Sequence, residues 1–112
     1  MILKSAENMS QIAQKSRTLT IRRERKIFGY RLALSVFINN RECGRLYNNE
    51  TIAFTIGKGV YRIYVDISYY LDISEPIRRS DVITISESEE DVFLKTRIKA
   101  GLSENRILLQ KE

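Results

Sequence analysis

Ile52-Ala53-Phe54-Thr55-Ile56-Gly57-Lys58-Gly59-Val60-Tyr61-Arg62-Ile63-Tyr64-Val65-Asp66-Ile67 is the stretch whose reading decides the fold. Ile52, Phe54 and Ile56 alternate with Ala53 and Thr55. After Gly57-Lys58-Gly59, Tyr61, Ile63, Val65 and Ile67 alternate with Arg62, Tyr64 and Asp66. A period of two belongs to an extended strand with one buried face. Glycines supply the positive φ that a reversing chain needs, so the stretch predicts a β-hairpin at the centre of the domain. Its large apolar face needs a second sheet to cover it.

Upstream, Leu32, Leu34, Val36 and Ile38 alternate with Arg31, Ala33, Ser35 and Phe37. Ala33 and Ser35 are small and Phe37 is apolar, so the second face of this strand is expected to be partly covered too. Asn39-Asn40 marks a tight turn, because Asn tolerates the left-handed conformation. Glu42 to Tyr47 is then a return strand with a bulge at Gly44, and Asn48-Asn49 turns the chain into the central hairpin. Further back, Arg17 to Phe28 reads as a strand whose outer end is strongly basic. Met9, Ile12 and Ala13 in the first sixteen residues have helical spacing, but a segment this short is marginal alone. Residues 1–16 are therefore expected to be a helical or disordered lead, and residues 17–112 the domain.

Downstream, the irregular run Ser68 to Ile77 holds the only proline, Pro76, which cannot donate to a ladder and marks an edge or a crossing between sheets. Val82 to Ser86 and Val92 to Lys99 are two further strands, joined by Glu87-Ser88-Glu89-Glu90-Asp91, and Arg106 to Gln110 is a last one. Short strands at this spacing predict an all-β fold, a single β-sandwich of seven to eight mostly antiparallel strands.

Composition narrows the chemistry. The 112 residues suffice for one domain with a sizeable core. There is no histidine, and Cys43 is the only cysteine. An internal disulfide and a multi-cysteine zinc site are therefore excluded, and there is no imidazole base or ligand. No enzyme activity, cofactor or metal is expected. No run of eighteen apolar residues occurs and the first residues lack the apolar core of a signal peptide, so a cytoplasmic protein without membrane contact is expected. The net charge is +5, but residues 15–31 alone carry +6, so the remainder is close to neutral and a local basic patch is the feature to explain.

The run Leu34-Ser35-Val36-Phe37-Ile38-Asn39-Asn40, the glycine at Gly44, the alternating strand after it, and Gly59-Val60-Tyr61 leading into a further alternating strand resemble the core of PEGA-type and related surface-exposed or carbohydrate-associated β-sandwich modules. The resemblance covers about residues 32 to 67, and the Pro-Glu-Gly-Ala signature is absent. It implies an Ig-like or PEGA-like sandwich acting as an accessory or interaction module, and it carries over no functional residue.

Several groups are candidate sites. Arg22, Arg23, Arg25, Lys26 and Arg31 suit nucleic-acid phosphates, with Phe28 or Tyr30 to stack on bases, or else an acidic protein surface. The competing reading is a solvated strand end whose charge discourages edge pairing. Tyr69 and Tyr70, beside Leu71, cannot both point inward from an extended chain, and tyrosine is enriched at hot spots, so this segment is the expected protein contact. Glu87, Glu89, Glu90 and Asp91 lack the spacing of a cation loop and read as a solvated turn. Asp66, Asp72 and Glu75 form no evident pair across a cleft. Cys43 lies between Arg41 and Arg45 but has no base beside it and reads as a small strand residue. Gly57-Lys58-Gly59 lacks the spacing and following helix of a phosphate loop.

The functional expectation is a non-enzymatic protein-binding module, a small bacterial or phage-borne accessory or inhibitor protein, acting through Tyr69-Tyr70 or an exposed sheet edge. The alternative is a nucleic-acid-binding protein using the basic segment, and a third reading is a carbohydrate-binding sandwich. A homodimer through edge strands is compatible with the first two.

Overall fold

The computed structural model describes residues 16–29, 31–68, 77–87 and 90–112. In these the strands, in chain order, are β1 (Arg17–Arg23), β2 (Leu34–Ile38), β3 (Arg41–Leu46), β4 (Thr51–Ile56), β5 (Tyr61–Ile67), β6 (Ile77–Arg78), β7 (Ile83–Ile85), β8 (Val92–Lys99) and β9 (Asn105–Lys111), and no helix occurs among the described residues. They form a five-stranded sheet, ordered β4-β1-β8-β9-β6, and a four-stranded sheet, ordered β3-β2-β5-β7. The all-β class is as expected. The number of strands exceeds the seven to eight expected, because β6 is only two residues long and pattern reading passes over it. The expected lead lies, but for Ser16, outside the described residues.

One hydrophobic core joins the sheets. Leu19, Ile21, Leu94 and Ile107 come from the first sheet, Leu34, Val36, Ile63 and Val65 from the second, and all eight are fully buried. Each set follows the period-two pattern of its strand, which is why the sequence points these residues inward.

The central hairpin is corrected. β4 pairs antiparallel with β1, and β5 pairs with β2 and β7, so Gly57 to Val60 carries the chain from one sheet to the other. Period two says which face of a strand is buried and is silent on which edge pairs; two strands facing one core from opposite layers show the same alternation as two hydrogen-bonded neighbours. Gly59, at φ +143°, still needs to be glycine in this crossing. Asn48-Asn49 likewise begins a crossing, from β3 to β4, through a turn closed by Glu50 N–H donating to the Tyr47 carbonyl at 3.1 Å.

Other local readings stand. Asn39 and Asn40 have φ of 51° and 65° and join β2 to β3 in a hairpin. Val36 faces Gly44 but Phe37 faces Glu42, so Cys43 is the extra residue of a bulge beside Gly44. A Cβ on Gly44 would lie 2.5 Å from Ile52 Cδ1, so the glycine lets β3 and β4 approach across the layers. Five strand pairings are antiparallel, but β1 and β8, and β6 and β9, run parallel.

β1 departs from its expected form. It ends at Arg23, not Phe28. Its inward row is Arg17, Leu19, Ile21, Arg23, an apolar centre with a buried arginine at each end. Arg17 donates to the carbonyls of Ser86, at 2.6 Å, and Gly59, and its guanidinium lies over the Tyr61 ring. Each arginine ties down the chain where it crosses between sheets.

Candidate functional site

The loop between β1 and β2 is built around the second of these arginines. Arg23 is 2% exposed, and Nη1 donates to the carbonyls of Leu32 (2.5 Å) and Leu46 (2.8 Å) while Nη2 donates to that of Gly29 (2.9 Å). One planar guanidinium thus closes the loop from Glu24 to Leu32 on itself and onto the end of β3. Burial lowers the Arg23 pKa, with the charge of Glu50 acting in the opposite direction, and an arginine stays protonated nonetheless. Gly29, at φ +73°, seats the loop against β8, since a Cβ there would lie 2.7 Å from Ile98 Cδ1.

With its ends fixed, the loop projects its middle. Glu24 N–H donates to the Thr96 carbonyl at 2.9 Å, and Lys26 N–H to Asn48 Oδ1 at 3.0 Å. The Glu24 carboxylate takes Lys95 at 3.6 Å and Lys26 at 3.9 Å. Beyond these anchors Ile27 is 91% exposed and Phe28 44% exposed. Arg25, Lys26, Ile27 and Asn48 line an open pocket of about 610 Å³. Tyr47, in the adjoining turn, is exposed as well. Because β1 and β8 are parallel, the β8–β9 loop with its fully exposed Leu102 leaves the sheets at this same end. Single exposed apolar residues are ordinary; an isoleucine and a phenylalanine together at the tip of a tied loop flanked by cations are not.

The basic cluster is therefore split. Arg25, Lys26 and Arg31 are on the exposed surface of this loop. Arg22 lies on the outer face of β1, paired with Glu112, which raises its pKa. Arg23 is corrected: it takes no part in a surface patch, because it shares the inward parity of Leu19 and Ile21 and its donors are used by backbone carbonyls. Tyr30 and the expected contact Tyr69-Tyr70-Leu71 lie outside the described residues, as do Asp72 and Glu75.

Missing from the sequence reading is the outer face of β8. Its alternation buries Val92, Leu94, Thr96 and Ile98 and turns Phe93, Lys95, Arg97 and Lys99 outward. Lys95 stands beside Arg22, and Lys99 beside Arg106. Counting charge along the sequence hides such a row; assigning alternate residues of β8 to one face would have revealed it.

The remaining candidates are plain. Glu87 and Glu90 are exposed, and Asp91 Oδ1 accepts the Thr18 N–H at 2.8 Å. Among the described residues no group of three potential ligands is placed to hold a metal. Cys43 is exposed in its bulge, its Sγ donating to the Arg41 carbonyl. Asp66 accepts the Ile67 N–H and lies 3.8 Å from Arg79. On the outer face of the four-stranded sheet, Phe37 and Tyr64 stack at 4.8 Å with ring planes 5° apart, and Arg79 covers the ring of Tyr64 at 5.1 Å. Tyr64 is thus held between Phe37 and Arg79.

Comparison of the chain with protein-family models, with curated proteins and with solved structures found no match. No helix among the described residues is long and apolar enough to cross a membrane.

Proposed function

We propose that the chain is a non-enzymatic protein-binding module on an Ig-like or PEGA-like β-sandwich, and that the Glu24–Leu32 loop is its contact element. The observation that carries the reading is the pairing of an exposed Ile27-Phe28 tip with a buried arginine that makes three hydrogen bonds fixing the loop's ends. A pre-shaped apolar tip loses little conformational entropy when it docks, and flanking Arg25, Lys26 and Arg31 suit an acidic rim around the partner's cleft. The exposed free thiol of Cys43 fits a reducing compartment, and the cytoplasm is the working location.

Burying Ile27 in a partner is worth about 2 kcal/mol, a factor of about thirty in affinity. A photo-crosslinking residue at position 27 is expected to capture one defined partner, with a control probe at Gln110 capturing none. Ile27→Asp, made without the probe, is expected to abolish co-purification of that partner at unchanged Tm. Equal capture from both positions, or binding indifferent to Ile27→Asp, would reject the loop as the contact.

A second reading is favoured by one observation. Lys95, Arg97 and Lys99 share an outward face with Arg22 and the exposed Phe93, and Arg97 and Lys99 have no ion pair among the described residues. This is the layout of a single-stranded nucleic-acid surface, with Phe93 as the stacking residue. Binding to a labelled oligonucleotide that falls steeply with salt, and is lost in an Arg97→Glu, Lys99→Glu double variant, would put this reading first.

A further inference from the structure

Among the described residues the two sheets have four edges, and three of them are guarded. β3 carries a bulge and the charges of Arg41, Glu42 and Arg45; β6 is two residues long and includes Arg78; β7 is three residues long. Short, charged or bulged edges resist adding another strand. The fourth edge, β4, is the sequence Thr51-Ile52-Ala53-Phe54-Thr55-Ile56: six residues, no charge, no proline, no bulge. Among the described residues it pairs only with β1.

Which backbone groups face outward follows from the ladder. Arg23 N–H donates to the Glu50 carbonyl at 2.8 Å, and these residues stand opposite each other one step beyond the Arg22–Thr51 pair. Ile52, Phe54 and Ile56 therefore direct their amides and carbonyls toward β1, as Glu50 does its carbonyl, and Thr51, Ala53 and Thr55 direct theirs to the open side. The side chains of Thr51, Ala53 and Thr55 are exposed, while Ile52 and Phe54 are half-buried against the layer that holds Gly44.

We infer that β4 is a homodimerisation edge that pairs antiparallel with β4 of a second copy about a two-fold axis at Ala53. The sequence around Ala53 is nearly the same in both directions, Thr-Ile-Ala-Phe-Thr, and this selects the occupant. Antiparallel pairing about Ala53 sets Thr51 against Thr55 on the outer face and Ile52 against Phe54 on the inner face, with Ala53 opposite its own counterpart. Thr–Thr and aromatic–β-branched pairs are favourable cross-strand neighbours, and no like charges are opposed. About six ladder hydrogen bonds form, and the five-stranded sheets of two copies become one continuous sheet. The edge is distinct from the Ile27-Phe28 tip, and the inference does not depend on the loop's role.

The test is sedimentation velocity of the full chain across a wide concentration range, with two variants at Ala53. Ala53→Lys sets like charges face to face across the axis, and Ala53→Pro removes an amide that faces away from β1 and so leaves the β1 ladder its donors. The wild-type chain is expected to dimerise and both variants to be monomers with a retained β-sheet circular-dichroism spectrum. In a Cys43→Ser background, Ala53→Cys is expected to form an intermolecular disulfide, because paired Cα atoms of a ladder lie about 5.5 Å apart. A dimer that survives Ala53→Lys would overturn the inference. So would a monomer at all concentrations, and protected Thr51, Ala53 and Thr55 amides in that monomer would show that the chain covers its own edge.

Discussion

Replacing Arg23 with methionine keeps the length of the side chain and its apolar stem while removing all the donors of the clasp. Three carbonyls lose a partner: that of Leu46, in a buried bond, and those of Leu32 and Gly29, where water has partial access and Gly29 keeps the Leu32 N–H. An unpaired buried polar group costs about 1–3 kcal/mol, and the two partly exposed carbonyls cost less because solvent replaces the donor. Against this, the variant is relieved of holding a guanidinium away from water, the same burial that lowers the pKa of Arg23. The balance is a destabilisation of about 3 kcal/mol. For a domain of this size that is a fall in Tm of about 12 °C. The control is Arg22→Met at the neighbouring position, which breaks an exposed, solvent-screened ion pair with Glu112 and is expected to leave Tm nearly unchanged. Calorimetry on both variants measures the difference, and hydrogen exchange should show faster opening of the Glu24–Leu32 loop in Arg23→Met alone. Equal losses in the two variants would refute the clasp and return Arg23 to the surface cluster.

Gly29→Ala should cost about 1–2 kcal/mol, since alanine disfavours φ +73° and its Cβ meets Ile98 Cδ1, and a denaturant midpoint would register it. Glu42 accepts the Ser35 hydroxyl at 2.9 Å and pairs with Arg45 at 3.3 Å, and these two contacts, Ser35 first, hold its pKa below the ordinary carboxylate value. A carboxylate with a depressed folded-state pKa contributes stability above its unfolded pKa and loses it as pH falls through the folded one. Urea midpoints from pH 7 down to pH 3 should therefore decline less in Glu42→Gln than in the native chain, and a parallel decline would deny the coupling.

The buried faces were readable because period two survives the choice of partner: Ile63, Val65, Leu94 and Ile98 point inward whichever strand lies alongside. Pairing was not readable. Gly57-Lys58-Gly59 serves a hairpin and a crossing between layers equally well, and only the remote partners β1 and β2 distinguish them. Arg23 shows a different failure. Its parity with Leu19 and Ile21 was plain, but a charged residue in a basic run looks solvated until the carbonyls of Gly29, Leu32 and Leu46 are seen to converge on it. The sequence places Ile27 and Phe28 at the end of a strand, which would hide one of them; their exposure follows from β1 stopping at Arg23.

The parallel pairing of β1 with β8 also governs the order in which the chain can be completed. Thr18 meets Asp91, 73 residues later, and Leu19 faces Val92. During synthesis from the N-terminus β1 can dock on β4 early, but its other edge stays open until most of the chain has been made. Closing so long a loop carries an entropic cost before any contact offsets it, which sets the refolding of this domain in the slow, millisecond-to-second range of non-local β topologies. While it waits, β1 keeps one open edge as a template for pairing with a neighbouring nascent chain. The arginines at its two ends then act as gatekeepers of that interval, charged and hydrated in the open chain and buried only when the second sheet closes over them.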